Sequence, residues 1–232
     1  MCSFFQTEAV EEKIGVLFRD KALLMLAFVH RSFWNENQHL VSGHNERLEF
    51  LGDSVLGLIV AEYLYLKHPT LDEGSLSSLR SQMVDASACS IYVQQLELEE
   101  YLLLGKGEQM KRDKGRESIL ADLFEALIGS LYLDQGLSAA KVFFFSHFTG
   151  NIRQMILKPA RNWKAELQDY SQKTYQQTPI YEVIEESGPP HRKTFWVAVW
   201  INERKLGEGK GFSKKEAQTN AAKQAMEELF QK

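Results

Sequence analysis

The chain has 232 residues, of which 44% are apolar and 25% charged, and its net charge is −4. This is an ordinary globular composition, long enough for two domains. No apolar run approaches a membrane span, and Met1-Cys2-Ser3-Phe4-Phe5-Gln6-Thr7-Glu8 lacks the basic start and apolar stretch of a signal peptide. Two cysteines, Cys2 and Cys89, without a secretory signal lead to the expectation of reduced thiols and a cytoplasmic location. The negative total argues against a nucleic-acid partner until the chain is divided. Residues 160–232 hold 12 Lys and Arg against 10 Asp and Glu, whereas residues 1–159 hold 15 against 21. The acidic excess belongs to the first part, and the last part is mildly basic.

In chain order, residues 8–133 read as successive helices. Apolar periodicity covers Val10 to Phe18, then Leu23 to Val29 with Asp20 as its N-cap. A long helix runs from about Asn45 to Lys67, where His68-Pro69 stops it. Asp72-Glu73-Gly74 opens a helix containing Leu76, Leu79, Arg80 and Val84, and another follows from Ala86 to Leu96. Residues 105–116 are polar, basic and glycine-rich, which predicts a loop beside the next helix, with the option of touching phosphate. That helix carries Asp122 and Glu125, and a last one spans Ser138 to Ile156. Lys158-Pro159-Ala160-Arg161 breaks the pattern and reads as a linker. Beyond it Trp163 to Gln172 is helical, and then the period changes to that of strands over residues 180–186, 193–200 and 204–211. Gly188-Pro189-Pro190 and Asn202-Glu203 make the turns, and Ser213 caps a final helix from Lys214 to Phe230. The expected architecture is multidomain: an all-α domain over residues 1–157, a linker over 158–161, and a small α+β domain (α-β-β-β-α) over 162–232.

The most informative segment is His44-Asn45-Glu46-Arg47-Leu48-Glu49-Phe50-Leu51-Gly52-Asp53-Ser54. Glu46, Glu49 and Asp53 fall within roughly 60° of one another on a helix, at about 100° per residue, while Leu48, Leu51, Val55, Leu56, Leu58 and Ile59 cover most of the rest. Asp122 and Glu125 form a second pair, i and i+3, on a helix otherwise made of Ile119, Leu120, Leu123, Phe124, Leu127 and Ile128. Anionic groups beside a core must be paired, protonated or bound to a cation. No run of Lys or Arg shares these helices, so the pattern points to one acidic cluster of Glu49, Asp53, Asp122 and Glu125 that takes a metal. Only oxygen donors are on offer. Zinc and ferritin-like di-iron sites lack their Cys or His ligands here, which leaves Mg²⁺ or Mn²⁺. Such ions suit phosphate-ester chemistry, and no Gly-x-Ser-x-Gly, His-Glu-x-x-His or P-loop competes.

Glu46-Arg47-Leu48-Glu49-Phe50-Leu51-Gly52-Asp53-Ser54 matches the nine-residue signature of ribonuclease III without a departure. Asp122-x-x-Glu125, running on to Ala126-Leu127-Ile128-Gly129, resembles that family's second acidic motif, and the C-terminal part is similar to its double-stranded-RNA-binding domain. The resemblance implies that Glu49, Asp53, Asp122 and Glu125 hold Mg²⁺, with Asp53 and Glu125 catalytic and Glu125 the residue whose loss most selectively stops chemistry. It implies that Glu46 and Glu73 lie near RNA and that Phe50 plugs into the partner of a homodimer. It further implies cleavage of both strands to 5′-phosphate and 3′-hydroxyl ends with short 3′ overhangs, on precursor ribosomal RNA and other structured transcripts. An A-form duplex is recognised through 2′-hydroxyls, phosphates and shape. In the second domain Gln168, with Glu166 a further candidate, would face one minor groove and His191 another. Lys214 and Lys215, assisted by Lys210, would grip phosphates across the major groove. Gln218 departs from the pattern, because many such domains have a basic residue there. A competing reading is a non-catalytic dimeric regulator that binds double-stranded RNA. It predicts loss of one of the four carboxylates, and all four are present. A redox di-metal bundle fails for want of His ligands.

Overall fold

A computed structural model describes residues 5–110, 115–157, 162–189 and 193–230. The chain divides into two compact units, Met1–Ala160 and Arg161–Lys232. The expected linker, residues 158–161, lies outside the described residues. Among those described, no helix is long and apolar enough to cross a membrane.

The first unit is helical: α1 (Thr7–Ile14), α2 (Lys21–Ala27), α3 (Arg31–Glu36), α4 (Glu46–Lys67), α5 (Glu73–Val84), α6 (Ala86–Gln95), α7 (Lys106–Gln109), α8 (Arg116–Gln135) and α9 (Leu137–Leu157). Three details differ from the sequence reading. The first helix does not run on to Phe18, because Gly15 adopts φ 67° and ends it in a left-handed turn. The six-residue α3 has no buried residue to give it a periodic signature, and His30 caps it by accepting from the Ser32 amide. Part of the expected 105–116 loop is the single helical turn of α7, and residues 111–114 of that loop lie outside the described residues.

The core of this unit centres on α8, whose Leu120, Leu123, Phe124, Leu127, Ile128 and Leu131 are almost wholly buried. Tyr92 of α6 packs its ring 5.0 Å from Phe124 and 4.3 Å from Phe148, and its hydroxyl donates to the Met83 carbonyl at 3.1 Å. This aromatic cluster fixes α8 in rotation and depth. The start of α4 is pinned separately. Buried Asn45 donates its backbone N–H to the Val29 carbonyl (2.9 Å) and its Nδ2 to the Ala27 carbonyl (3.3 Å).

Between these two anchored helices the backbones touch. A Cβ built on Gly52 would fall 1.7 Å from the Glu125 carbonyl oxygen, and one on Gly129 would fall 2.3 Å from the Leu48 carbonyl oxygen. Only hydrogen at both positions allows this approach. Gly52 lies between Glu49 and Asp53, and Gly129 lies one turn past Glu125, so the crossing point is also where the acidic residues meet.

The second unit is α10 (Trp163–Tyr175), β1 (Ile180–Ser187), β2 (Thr194–Ile201), β3 (Arg204–Gly211) and α11 (Lys214–Phe230). Its antiparallel sheet has the order β1-β2-β3. Val197, Val199, Ile201 and Leu206 pack with Leu167 of α10 and with Ala217, Ala221, Ala222, Ala225 and Met226 of α11. Gly207, Gly209 and Gly211 let α11 lie directly on β3, since a Cβ on Gly209 would come within 2.1 Å of the Ala221 nitrogen.

Replacing Gly52 with Ala must drive α4 and α8 apart. The expected cost is on the order of 3 kcal/mol in unfolding free energy, with loss of the function of the acidic cluster. Because the second unit is untouched, the duplex RNA binding that the resemblance implies for it should persist. Chemical denaturation and gel-shift titration of the full chain measure both, and parental stability in Gly52→Ala would show that the contact is not tight.

Candidate functional site

The crossing of α4 and α8 brings Glu49 and Asp53 of one helix to Asp122 and Glu125 of the other. The proximity is visible in how the groups act on each other. Glu125 is pushed up to about 7, first by burial and then by the charges of Asp53, Glu49 and Asp122. Glu49 is pushed up to about 6, again first by burial and then by Asp122, Glu46 and Asp53. Asp122 is raised as well, by burial and by Glu46. The field reaches α6, where burial, helped by Glu125, Asp85 and Asp53, pushes the Cys89 thiol far up. That thiol stays protonated and is no nucleophile.

Glu46 stands at the rim of the cluster. Its carboxylate meets Arg31 Nη1 at 3.3 Å and His44 Nδ1 at 3.8 Å, and the His44 ring lies 5.1 Å from Trp34. Glu73 is not brought into the cluster's mutual influence. In the first turn of α5 it accepts a hydrogen bond from Ser77 Oγ at 3.0 Å. Phe50, on the same helix as Glu49, points outward and is 79% exposed, so it is not a core residue of the single chain.

No group of three or more His, Cys, Asp or Glu among the described residues is gathered tightly enough to form a ready metal cage. Like charges that approach only this far keep their side chains apart. The donor chemistry nonetheless fits a hard divalent cation. Four carboxylates from two rigid helices supply oxygen ligands alone, and burial with mutual repulsion raises three of them, Glu49, Asp122 and Glu125.

The second unit carries cations. Gln168 is exposed on α10. Lys214 and Lys215 open α11, where Ser213 Oγ accepts from the Glu216 amide (3.1 Å) and the Glu216 carboxylate accepts from the Phe212 amide (2.7 Å). Ser213 thus satisfies one of the first N–H groups of the helix, and Glu216 ties down the chain just before it, so the helix start offers fewer free N–H groups. Lys214 is also less free than its sequence context predicts. Its ammonium lies 3.1 Å from Glu186 Oε1, while Lys193 holds Oε2 at 3.0 Å. These two lysines hold the Glu186 carboxyl below its usual range.

Lys210 belongs elsewhere. It pairs with Trp196 across β3 and β2, and its ammonium stands 4.9 Å from the centroid of the Trp196 ring. Because Gly209 and Gly211 face α11, the alternation of a strand turns Lys210 to the opposite face of the sheet. It therefore does not assist Lys214 and Lys215, as sequence proximity suggested. His191 lies outside the described residues.

Residues 20–152 match the family described as Ribonuclease-III-like, and residues 163–229 match the double-stranded RNA binding motif. The chain belongs to the ribonuclease III family. It is similar to Ribonuclease 3 of Protochlamydia amoebophila, at 61% identity over 95% of this chain and 91% of that one. Ribonuclease 3 of Leptospira interrogans is 43% identical over 97% of this chain and 91% of its own length. Among solved structures, a nuclease domain of ribonuclease III from Campylobacter jejuni superposes with a TM-score of 0.58 at 37% identity. It covers 63% of this chain and 98% of that domain. As a ribonuclease III, the chain is an endoribonuclease acting on double-stranded RNA.

Sequence reasoning passed over three contributors. Gly52 and Gly129 lie inside the acidic motifs, and a glycine inside a helix costs about 1 kcal/mol against alanine and so asks for a reason. Glu186 reads from sequence as an ordinary strand residue. Its pairing with Lys214 spans the fold and leaves no local signal.

Two outcomes follow from these charges. A carboxyl raised in the folded state holds a proton that the unfolded chain releases near its ordinary value of 4.5. Its stabilisation is complete below that pH and is lost as pH rises through about 7. The metal-free protein should therefore lose thermal stability between about pH 4.5 and 7. Glu125→Gln should flatten that decline and melt above the parent at pH 8; a parental profile in calorimetry would refute the coupling. In the second unit Glu186→Gln should release Lys214 and tighten duplex binding about threefold, the scale of an exposed ion pair. Weaker binding in that variant would instead give Glu186 a supporting role.

Proposed function

We propose that this ribonuclease III is a Mg²⁺-dependent enzyme, with Mn²⁺ as a substitute, that hydrolyses both strands of an RNA duplex. Glu49, Asp53, Asp122 and Glu125 are its metal-binding side chains, and Asp53 and Glu125 stand closest to the chemistry. The observation that carries the reading is the coupled carboxylate cluster at the glycine crossing of α4 and α8. Divalent ions, when bound there, supply Lewis acidity and neutralise charge on the phosphodiester. The protein's part is to hold four oxygen donors on two helices that cannot drift apart, and to keep thiol and imidazole groups out of the set. Glu46, tied to Arg31, and Glu73 are assigned to the RNA side of the site.

The nuclease domain is assigned to residues 1–157, the linker to 158–161 and the RNA-binding domain to 162–232. In the latter, Gln168, His191, Lys214 and Lys215 are the proposed RNA contacts. A homodimer gives one cluster per strand. Its support is an apolar stripe along α4, with Phe50, Leu58 and Tyr65 all more than half exposed. The solved Campylobacter jejuni domain is itself described as having a region involved in dimer formation. Staggered cuts in such a dimer leave short 3′ overhangs with 5′-phosphate and 3′-hydroxyl ends. Precursor ribosomal RNA and other structured transcripts in the cytoplasm are the proposed substrates. The buried, free Cys89 suits a reducing compartment.

Glu125→Gln tests the catalytic assignment directly. In Mg²⁺ it should bind a perfect duplex with parental affinity and cut it slower by on the order of a thousandfold. End analysis of the parent's products should find 5′-phosphates. Normal cleavage by the variant would remove Glu125 from the site, and 3′-phosphate products would overturn hydrolysis of this kind.

A further inference from the structure

We propose that Lys164 is an additional phosphate-binding residue, held by Gln218 and Tyr181 so that its charge extends the cationic row begun by Lys214. The inference rests on the assignment of the α11 start to phosphate binding.

Lys214 and Gln218 are i and i+4 on α11 and so share one face of that helix, with Cβ atoms about 6 Å apart. The end of that face at position 218 carries no charge of its own. A cation reaches it from the neighbouring helix. Lys164 of α10 donates from its ammonium to Gln218 Oε1 at 2.7 Å, and the same ammonium stands 4.8 Å from the centroid of the Tyr181 ring. Both partners orient the lysine, and neither neutralises it. A carboxamide oxygen brings only a dipole and an aromatic face only a quadrupole. Lys214, by contrast, faces the full negative charge of Glu186 at 3.1 Å. Of the two ammonium groups positioned along this face, Lys164 is the one held by neutral partners among the described residues.

That is the arrangement an anion site needs. A lysine stem that is already ordered loses less rotamer freedom when a phosphate arrives, and a neutral partner does not have to be displaced. The ligand class is the phosphodiester backbone of a duplex. One lysine on α11 and one held from α10 against Gln218, a turn further along, suit phosphates rather than base edges.

The test measures binding of a perfect RNA duplex to the full chain in EDTA, which blocks cleavage, across a series of KCl concentrations. It compares Lys164→Gln, Gln218→Glu and the double variant Lys214→Ala with Lys215→Ala. Each phosphate contact contributes close to one unit to the slope of log affinity against log salt. Lys164→Gln should lower that slope by about one unit and weaken binding several-fold at low salt. Gln218→Glu should do the same, because it retains the lysine and its position but cancels the charge. Its unchanged melting temperature would separate the effect from misfolding. In Mg²⁺ both variants should raise KM and leave kcat at saturating duplex unaltered. If the double variant flattens the slope while Gln218→Glu and Lys164→Gln leave it at the parental value, Lys164 does not touch phosphate and this proposal falls alone. If the double variant also leaves the slope unchanged, the assignment of the α11 start to phosphate falls with it.

Discussion

The contact on which the nuclease unit depends is made by two hydrogens. Gly52 and Gly129 allow the backbones of α4 and α8 to meet at a distance that any side chain would prevent. Each glycine sits in the interior of a helix of 20 residues or more, where it costs about 1 kcal/mol relative to alanine. A larger residue would pack those helices in the ordinary way, at 8–10 Å between axes by the usual rule, and would separate the carboxylates that flank the crossing. The close approach therefore sacrifices helix stability for charge density. Burial and mutual repulsion then raise Glu49, Asp122 and Glu125 together. The rest of the core works against that repulsion: the aromatic cluster of Tyr92, Phe124 and Phe148 and the buried Asn45 anchor hold both helices in place.

The second unit solves a related problem with the same small residues. Gly207, Gly209 and Gly211 let Ala217, Ala221 and Ala225 rest against the β3 backbone, so α11 is seated on the sheet with little freedom to slide. That seating decides which side chains can meet. It puts Lys214 over Phe195 and against Glu186, and it brings Gln218 to Lys164. It also separates Lys210 from them by the thickness of a sheet. Positive charge in this unit is rationed by its neighbours. The ammoniums of Lys193 and Lys214 share one carboxylate, whereas that of Lys164 is held by neutral groups.

Much of the architecture could be read from periodicity alone. The break at residues 158–161, followed by one more helix and a change from a 3.6-residue to a 2-residue repeat near residue 180, separates a helical unit from an α-β-β-β-α unit, and the structure has that order. Asp20, placed as a cap from its sequence context, accepts from the Ala22 and Leu23 amides. The failures are also physical. Periodicity carried the first helix past Gly15, because an apolar pattern does not record a positive φ. The short α3 and α7 bury nothing and so have no pattern to detect. Within the acidic segments, spacing shows which carboxylates share a helix face, but backbone contact between two helices is a property of the pair. The facing of Lys210 depends on a strand register, and the pairing of Glu186 with Lys214 joins residues 28 positions apart in the chain. Neither leaves a local trace.

On the proposed assignment, the charge distribution would make cation binding and substrate binding dependent on each other. Residues 1–159 carry 15 basic against 21 acidic residues, and four of the acids crowd one crossing. A phosphodiester brings a further negative charge, and in the partly buried surroundings of Glu125 and Asp122 that repulsion is poorly screened. Protonation relieves it at low pH, but a protonated carboxyl has given up the charge with which it holds a metal. A divalent cation relieves it without that loss. On the proposed assignment the burial that raises these carboxyls would also make the site selective, since an RNA backbone would approach only where positive charge had already been supplied. On the proposed assignment the lysines of the second unit would supply a weaker and more diffuse charge, suited to retaining a duplex rather than to neutralising a cleavage site.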